Sequence, residues 1–108
     1  MEVLFATREL VAAVTKPASR VVRFGAEGAR AVDLRLQQLW AAPNLAHMRQ
    51  MPGRCRELLG DPDGRLAVDA FPHQLLFRPA LEPVPQLRGQ LDWSAVDRIA
   101  ITEIVRHA

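Results

Sequence analysis

The stretch RCRELLGDPDGRLAVDAFPHQLLFR, residues 54–78, decides the fold. Its centre, Asp61-Pro62-Asp63-Gly64, places proline second and glycine fourth, which is the residue chemistry of a type I turn. RCRELLG (54–60) and RLAVDAF (65–71) flank the turn, so the segment reads as a hairpin. Phe71-Pro72-His73 makes a second reversal, and QLLFR (74–78) follows as a mostly apolar strand that Pro79 ends. Three consecutive strands joined this way imply a meander.

Beyond the meander, Pro79 to Trp93 contains Pro79, Pro83, Pro85 and Gly89, too long and too proline-rich for an ordinary connection. It is expected to be functional or mobile, with Leu81–Leu91 as a mobile rim or as a plain surface insertion. A turn or short helix at Asp92-Trp93-Ser94 precedes RIAITEIV (98–105), apolar on both faces as a strand near the middle of a sheet should be. On the other side of the meander, Glu2–Ala6 predicts a short strand, with Thr7 as N-cap of a helix over Arg8–Val14. Pro17 ends or kinks that helix. Helical turns are expected over Ala18–Phe24, with Gly25 as their C-cap. From Ala26 to Ala42, Ala29, Val32, Leu36, Leu39 and Trp40 recur at helical spacing, opposite Arg30, Asp33 and Gln37. Pro43 stops this helix, and Asn44 caps one further turn through Met48 before the break at Pro52-Gly53.

One strand, a helical region and a run of strands make an α+β domain, with the helices on one face of a curved, mostly antiparallel sheet of about four or five strands. The other face is left as a shallow groove, where function should sit. At 108 residues and 12.0 kDa, with 49% hydrophobic and 24% charged residues, the chain reads as a single domain over residues 1–108. Cys55 alone rules out an internal disulfide and a multi-cysteine zinc site, and it fits a reducing compartment, the cytoplasm. No apolar run reaches membrane-span length, and Glu2, Arg8 and Glu9 interrupt any signal-peptide pattern.

Net charge is only +2, yet 13 of the 14 basic residues are arginine, Lys16 is the sole lysine and tyrosine is absent. A planar guanidinium fork suits phosphate, which raises the prior for nucleic acid; a GC-rich genome gives the same bias. No phosphate-binding loop, dinucleotide fingerprint, HExxH or nucleophile-elbow serine is present. His47, His73 and His107 lack metal-ligand spacing, and Cys55 reads as a small strand residue. What remains is a set of arginines on the expected sheet: Arg54, Arg56, Arg65, Arg78 and Arg106. Period-two geometry puts Arg54 and Arg56 on one face, so either a phosphate-gripping surface or a solvated face with edge-protecting charges results.

The segment MRQMPGRCRELLGDPDG (48–64), followed by RLAVDAFPHQLLFRPA and the terminal TEIVRH, resembles the HigB-like killer branch of the RelE/ParE toxin superfamily. MEVLFATREL, LQQLWAAPNLAHMRQMPG and DWSAVDRIAITEIV are similar to members of that branch too, so the resemblance spans nearly the whole chain. It implies a bacterial toxin held by an antitoxin, HigA-like and bearing a DNA-binding helix-turn-helix, so that DNA is met only through that partner. It also implies ribosome-dependent messenger-RNA cleavage without metal or cofactor, since the ribose 2′-hydroxyl supplies the nucleophile. Taken with the arginine-bearing sheet, the resemblance leads to Arg56, Arg78 and His73 or His107 as the expected catalytic residues, the histidine moving protons, and to Arg54, Arg65 and Arg106 as the expected phosphate binders.

The chain departs from the branch where Arg56 replaces a histidine, Leu59 a lysine and His73-Gln74 an aromatic-arginine pair. The usual EIV-Asp-Tyr-His ending is EIVRHA here, and a one-residue shift brings His107 to the histidine's role. These departures support a second expectation, a non-enzymatic binder: a ParE-like inhibitor of DNA gyrase, or a degenerate toxin that only binds its antitoxin.

Overall fold

Helices form where apolar spacing predicts them. In the computed structural model, which describes residues 1–107, β1 (Glu2–Phe5) leads into α1 (Arg8–Thr15), and the Thr7 hydroxyl accepts from Leu10 N at 3.1 Å to cap it. Pro17 opens α2 (Pro17–Ala41) at its first position, where a missing N–H costs nothing. Gly25 interrupts α2 at φ 74°, ψ 167°, a backbone conformation essentially confined to glycine. The buried stripe of α2 is Phe24, Gly28, Ala29, Val32, Leu36 and Leu39, whereas Trp40, expected on it, is 48% exposed.

A 3₁₀ segment at Leu45–Gln50, capped by the Asn44 side chain, delivers the chain to the meander: β2 (Arg56–Glu57), β3 (Leu66–Ala70) and β4 (His73–Pro79). The turn behaves as its residues require, with Gly64 N donating to Asp61 O at 3.1 Å. The strand expected over residues 54–60 shrinks to two residues, because Gly53 (φ 113°) and Arg54 (φ 52°) bend the backbone before it can pair. The proline-rich connection also contains structure: β5 (Gln86–Leu87) and β6 (Gln90–Leu91) form a separate hairpin. Its turn residues Arg88 and Gly89 both have positive φ, 54° and 77°, as a type I′ turn demands. After a 3₁₀ turn at Trp93–Ala95 comes β7 (Arg98–Arg106).

The main sheet has the order β1-β7-β4-β3-β2, parallel only where β1 meets β7, so β7, expected near the middle of the sheet, is an interior strand beside the central β4. Leu66, Val68, Leu75, Phe77, Ile99 and Ile101 are buried with Val32, Leu36 and Leu39 of α2 in a core shared by helices and sheet. β4 and β7 slip register once: Leu76 pairs with Glu103 but Phe77 with Ile101, leaving Thr102 as an extra residue. The Thr102 hydroxyl donates to Leu76 O at 3.2 Å across this bulge. Because side chains alternate, one inserted residue exchanges the faces of everything beyond it. Ile99 and Ile101 face the helices before the bulge, and Ile104 does so after it, which turns Glu103 and Val105 to the open face.

Gly53 carries a second constraint besides its φ. A Cβ there would lie 2.9 Å from Arg35 Cζ and from Val68 Cγ2. Gly53→Ala is therefore expected to lower stability by at least about 2 kcal/mol in urea unfolding, whereas Gly60→Ala, at φ 77° with nothing within 4 Å, should lose about 1 kcal/mol.

Candidate functional site

The open face of the sheet is organised around Asp69, the one acidic residue in the apolar strand LAVDA. Its backbone is held on both sides: Asp69 N donates to Gly53 O at 2.7 Å, and Arg35 Nε of α2 donates to Asp69 O at 2.7 Å. Arg35 also reaches Pro52 O at 2.7 Å, so one guanidinium clamps the loop before β2 to β3. Asp69 Oδ1 in turn accepts from Nη1 and Nη2 of Arg56, each at 3.2 Å, and lies 3.2 Å from His107 Nε2. His107 follows the last residue of β7, its N donating to Pro72 O at 2.9 Å and its ring stacking on Phe71 with centroids 6.0 Å apart. Phe71 itself is 75% exposed, an aromatic plate at the rim beside the imidazole.

A second cluster lies across the same face. Asp61 Oδ2 accepts from Asp63 N and Arg65 N, while the Arg65 guanidinium reaches Asp61 at 3.0 Å and Glu103 Oε1 at 2.7 Å. The bonds from the Arg65 side chain, then from its backbone, hold the Asp61 carboxyl below the usual carboxylate range. The Arg65 guanidinium, bonded first to Asp61 and then to Glu103, is held more firmly protonated than an ordinary arginine. Arg65 is thus a strut between the β2–β3 turn and β7.

The expected site residues divide accordingly. Arg56 and His107 come together, through Asp69. Arg65 lies on the same face but already holds two carboxylates. Arg78 is exposed at the far end of β4 and lines a cleft of about 640 Å³ beside the β5–β6 hairpin. Arg54 is not on a strand and cannot share a face with Arg56 by strand alternation; its carbonyl instead accepts from Arg56 Nη1 at 2.8 Å. His73 and Arg106, paired across β4 and β7, lie on the helix side. Buried at 6% exposure, His73 packs edge-on to Phe24 at 5.1 Å beneath Gly28, and its Nδ1 has no hydrogen-bond partner. Burial, then Arg106 and His107, push its pKa below 6.5. Burial likewise pushes the Cys55 thiol up to about 12, which keeps it protonated.

Among the described residues, no three His, Cys, Asp or Glu side chains gather as a ligand set for a metal. Nor is any helix long and apolar enough to cross a membrane. Family models, curated proteins and solved structures were compared with the chain, and none matches it.

Sequence reasoning missed Asp69, Phe71, Glu103 and Arg35. A signal existed for the first: in LAVDA, Leu66, Val68 and Ala70 alternate on the core side, so Asp69 must face outward beside Ala67. The same alternation through His73, Leu75 and Phe77 puts His73 in the core. Since burial lowers its folded pKa, the unfolded chain binds the extra proton, and stability is lost as pH falls below about 6.5. Chemical denaturation should show a slope of at most about 1.4 kcal/mol per pH unit there, absent in His73→Gln. Asp61 acts in a separate window: its contribution is present above pH 3.8 and is lost only below it.

Proposed function

We propose that this chain is a toxin of the HigB-like branch of the RelE/ParE superfamily that cleaves messenger RNA on the ribosome. The observation carrying the reading is the junction at Asp69, which brings Arg56 and His107 to one carboxylate oxygen beside an exposed aromatic ring. Cleavage by the ribose 2′-hydroxyl needs a proton carrier, a cation at the crowded phosphate and a surface to hold the base. His107 takes the proton of the attacking 2′-hydroxyl as that oxygen bonds to phosphorus, and returns it to the departing 5′-oxygen as the bond from phosphorus to it breaks, with Asp69 fixing the ring's direction. Arg56 offers the guanidinium to the phosphate, and Phe71 takes the stacking role left open by the absence of tyrosine. Proton transfer of this kind contributes about 10²–10⁴ in rate, and a well-aimed cation or donor about 10²–10³. The partners on this reading are the ribosome, its messenger RNA and a HigA-like antitoxin, all met in the cytoplasm.

A second reading draws on the same geometry. Arg56 and Arg65 are each already bonded to carboxylates, which leaves less free positive charge for phosphate than the arginine count suggests. A binder without catalysis, acting on DNA gyrase or only on its antitoxin, fits that balance.

Induced expression separates them. The endonuclease reading expects growth arrest with breaks in messenger RNA, a cleavage rate at least about 100-fold lower in Arg56→Ala and His107→Ala, and roughly tenfold lower in Asp69→Asn. Wild-type protein that leaves growth and messenger RNA intact overturns it. Arrest accompanied by cleaved supercoiled plasmid in a gyrase assay supports the second reading instead.

A further inference from the structure

The cleft of about 640 Å³ between the β5–β6 hairpin and the meander is of the size that takes a small planar ligand. Its walls carry one guanidinium, Arg78, and three carboxylates, Glu57, Asp63 and Glu82. One cation against three anions leaves the lining two charges negative, which excludes a phosphate as occupant. Arg78 is exposed and makes no ion pair among the described residues, so its fork of donors is free for a ligand. The cleft therefore asks for an uncharged body with two acceptors on one edge, matching the fork, and donors on another, matching a carboxylate.

We propose that this cleft receives a guanine base of the RNA strand; the inference rests on the reading of the open face as an RNA site. Guanine presents O6 and N7 to an arginine fork and its N1–H and exocyclic amino group to an acid. Adenine sets an amino donor beside N7, facing the guanidinium with a like group, and the pyrimidines lack the N7 acceptor. Val84 and Leu91 supply apolar surface for the ring faces, and the amides of Gln86 and Gln90 stand on the hairpin wall. The position fits a neighbouring nucleotide. Arg78 lies four residues along β4 from Gln74, the cross-strand partner of Asp69, or about 13 Å at the strand rise. A strand with its reacting linkage at His107 reaches the cleft with a base further along, its phosphates kept outside the negative lining.

Nucleotide titrations of the full chain followed by NMR test this. GMP is expected to shift the side-chain amides of Gln86 and Gln90, with AMP, CMP and 7-deaza-GMP at least about tenfold weaker and the preference lost in Arg78→Lys. A short RNA with a single guanine should displace GMP, and its guanine-free counterpart should not. Equal shifts with GMP and AMP, or none at the hairpin, overturn the inference. GMP binding that no guanine-containing RNA displaces assigns the cleft to a free nucleotide and overturns its RNA role. The two proposals fail separately. Guanine-selective binding without messenger-RNA breaks sinks the endonuclease reading, whereas breaks without selectivity at this cleft sink only this one.

Discussion

One residue out of register, Thr102, decides which side of the sheet the end of the chain can serve. Ile99 and Ile101 point to the helices; without a bulge every odd position after them would do the same, and His107 would be drawn toward the layer that buries His73. The inserted residue reverses that parity. Ile104 then takes the core side, Glu103 and Val105 take the open side, and His107 emerges over Phe71 within reach of Asp69. The bulge is secured by the Thr102 hydroxyl on Leu76 O and by His107 N on Pro72 O. Junctions to Arg65 through Glu103 and to Arg56 through Asp69 both follow from it.

The open face is also a problem in charge. Three arginines that a composition count treats as free cations are committed: Arg56 to Asp69, Arg65 to Asp61 and Glu103, Arg98 to Glu2. Each of these pairs is partly exposed, so its value to stability is modest. Their greater effect is geometric. A carboxylate that fixes the planar fork of a guanidinium removes rotamers that a ligand would otherwise have to freeze. Asp69 is itself immobilised by Arg35 from the helical layer, so the direction of Arg56 and His107 is traceable to a side chain on α2.

Much of this architecture is legible in the sequence because it rests on local chemistry. Thr7, Pro17, Gly25 and Asn44 punctuate the helices where their backbone preferences say they must, and Asp61-Pro62-Asp63-Gly64 closes the hairpin by its own hydrogen bonds. The faces of Asp69 and His73 were there to be read, since alternation is unbroken at both, yet Asp69 went unnamed and His73 was expected at the site rather than in the core. Face assignment failed where a non-glycine residue takes positive φ or a strand gains a residue. Nothing in RCRE marks Arg54 as left-handed, so the shared face with Arg56 read from period two does not exist. Nothing in RIAITEIV marks Thr102 as extra, since apolar residues on both faces hide the slip. The hairpin inside the proline-rich connection left a single cue, Gly89, because its other turn position is filled by Arg88.

The two histidines at this end of the sheet show how strongly layer position outweighs residue type. His73 and His107 approach from opposite faces of neighbouring strands, and the charge of one is felt by the other. His73 is sealed under Phe24 and Gly28, where a Cβ on the glycine would lie 2.7 Å from the ring, and burial favours its neutral form. His107 keeps a carboxylate, an aromatic plate and access to solvent. A helical layer can cover only one face of the sheet, so chemistry needing water, a phosphate or a nucleobase must be built on the other. On the proposed reading the strand of RNA lies along β4 on that face. It meets Arg56 and His107 at one end and the negative cleft at the other, so that phosphate and base are sorted by the sign of the field each encounters.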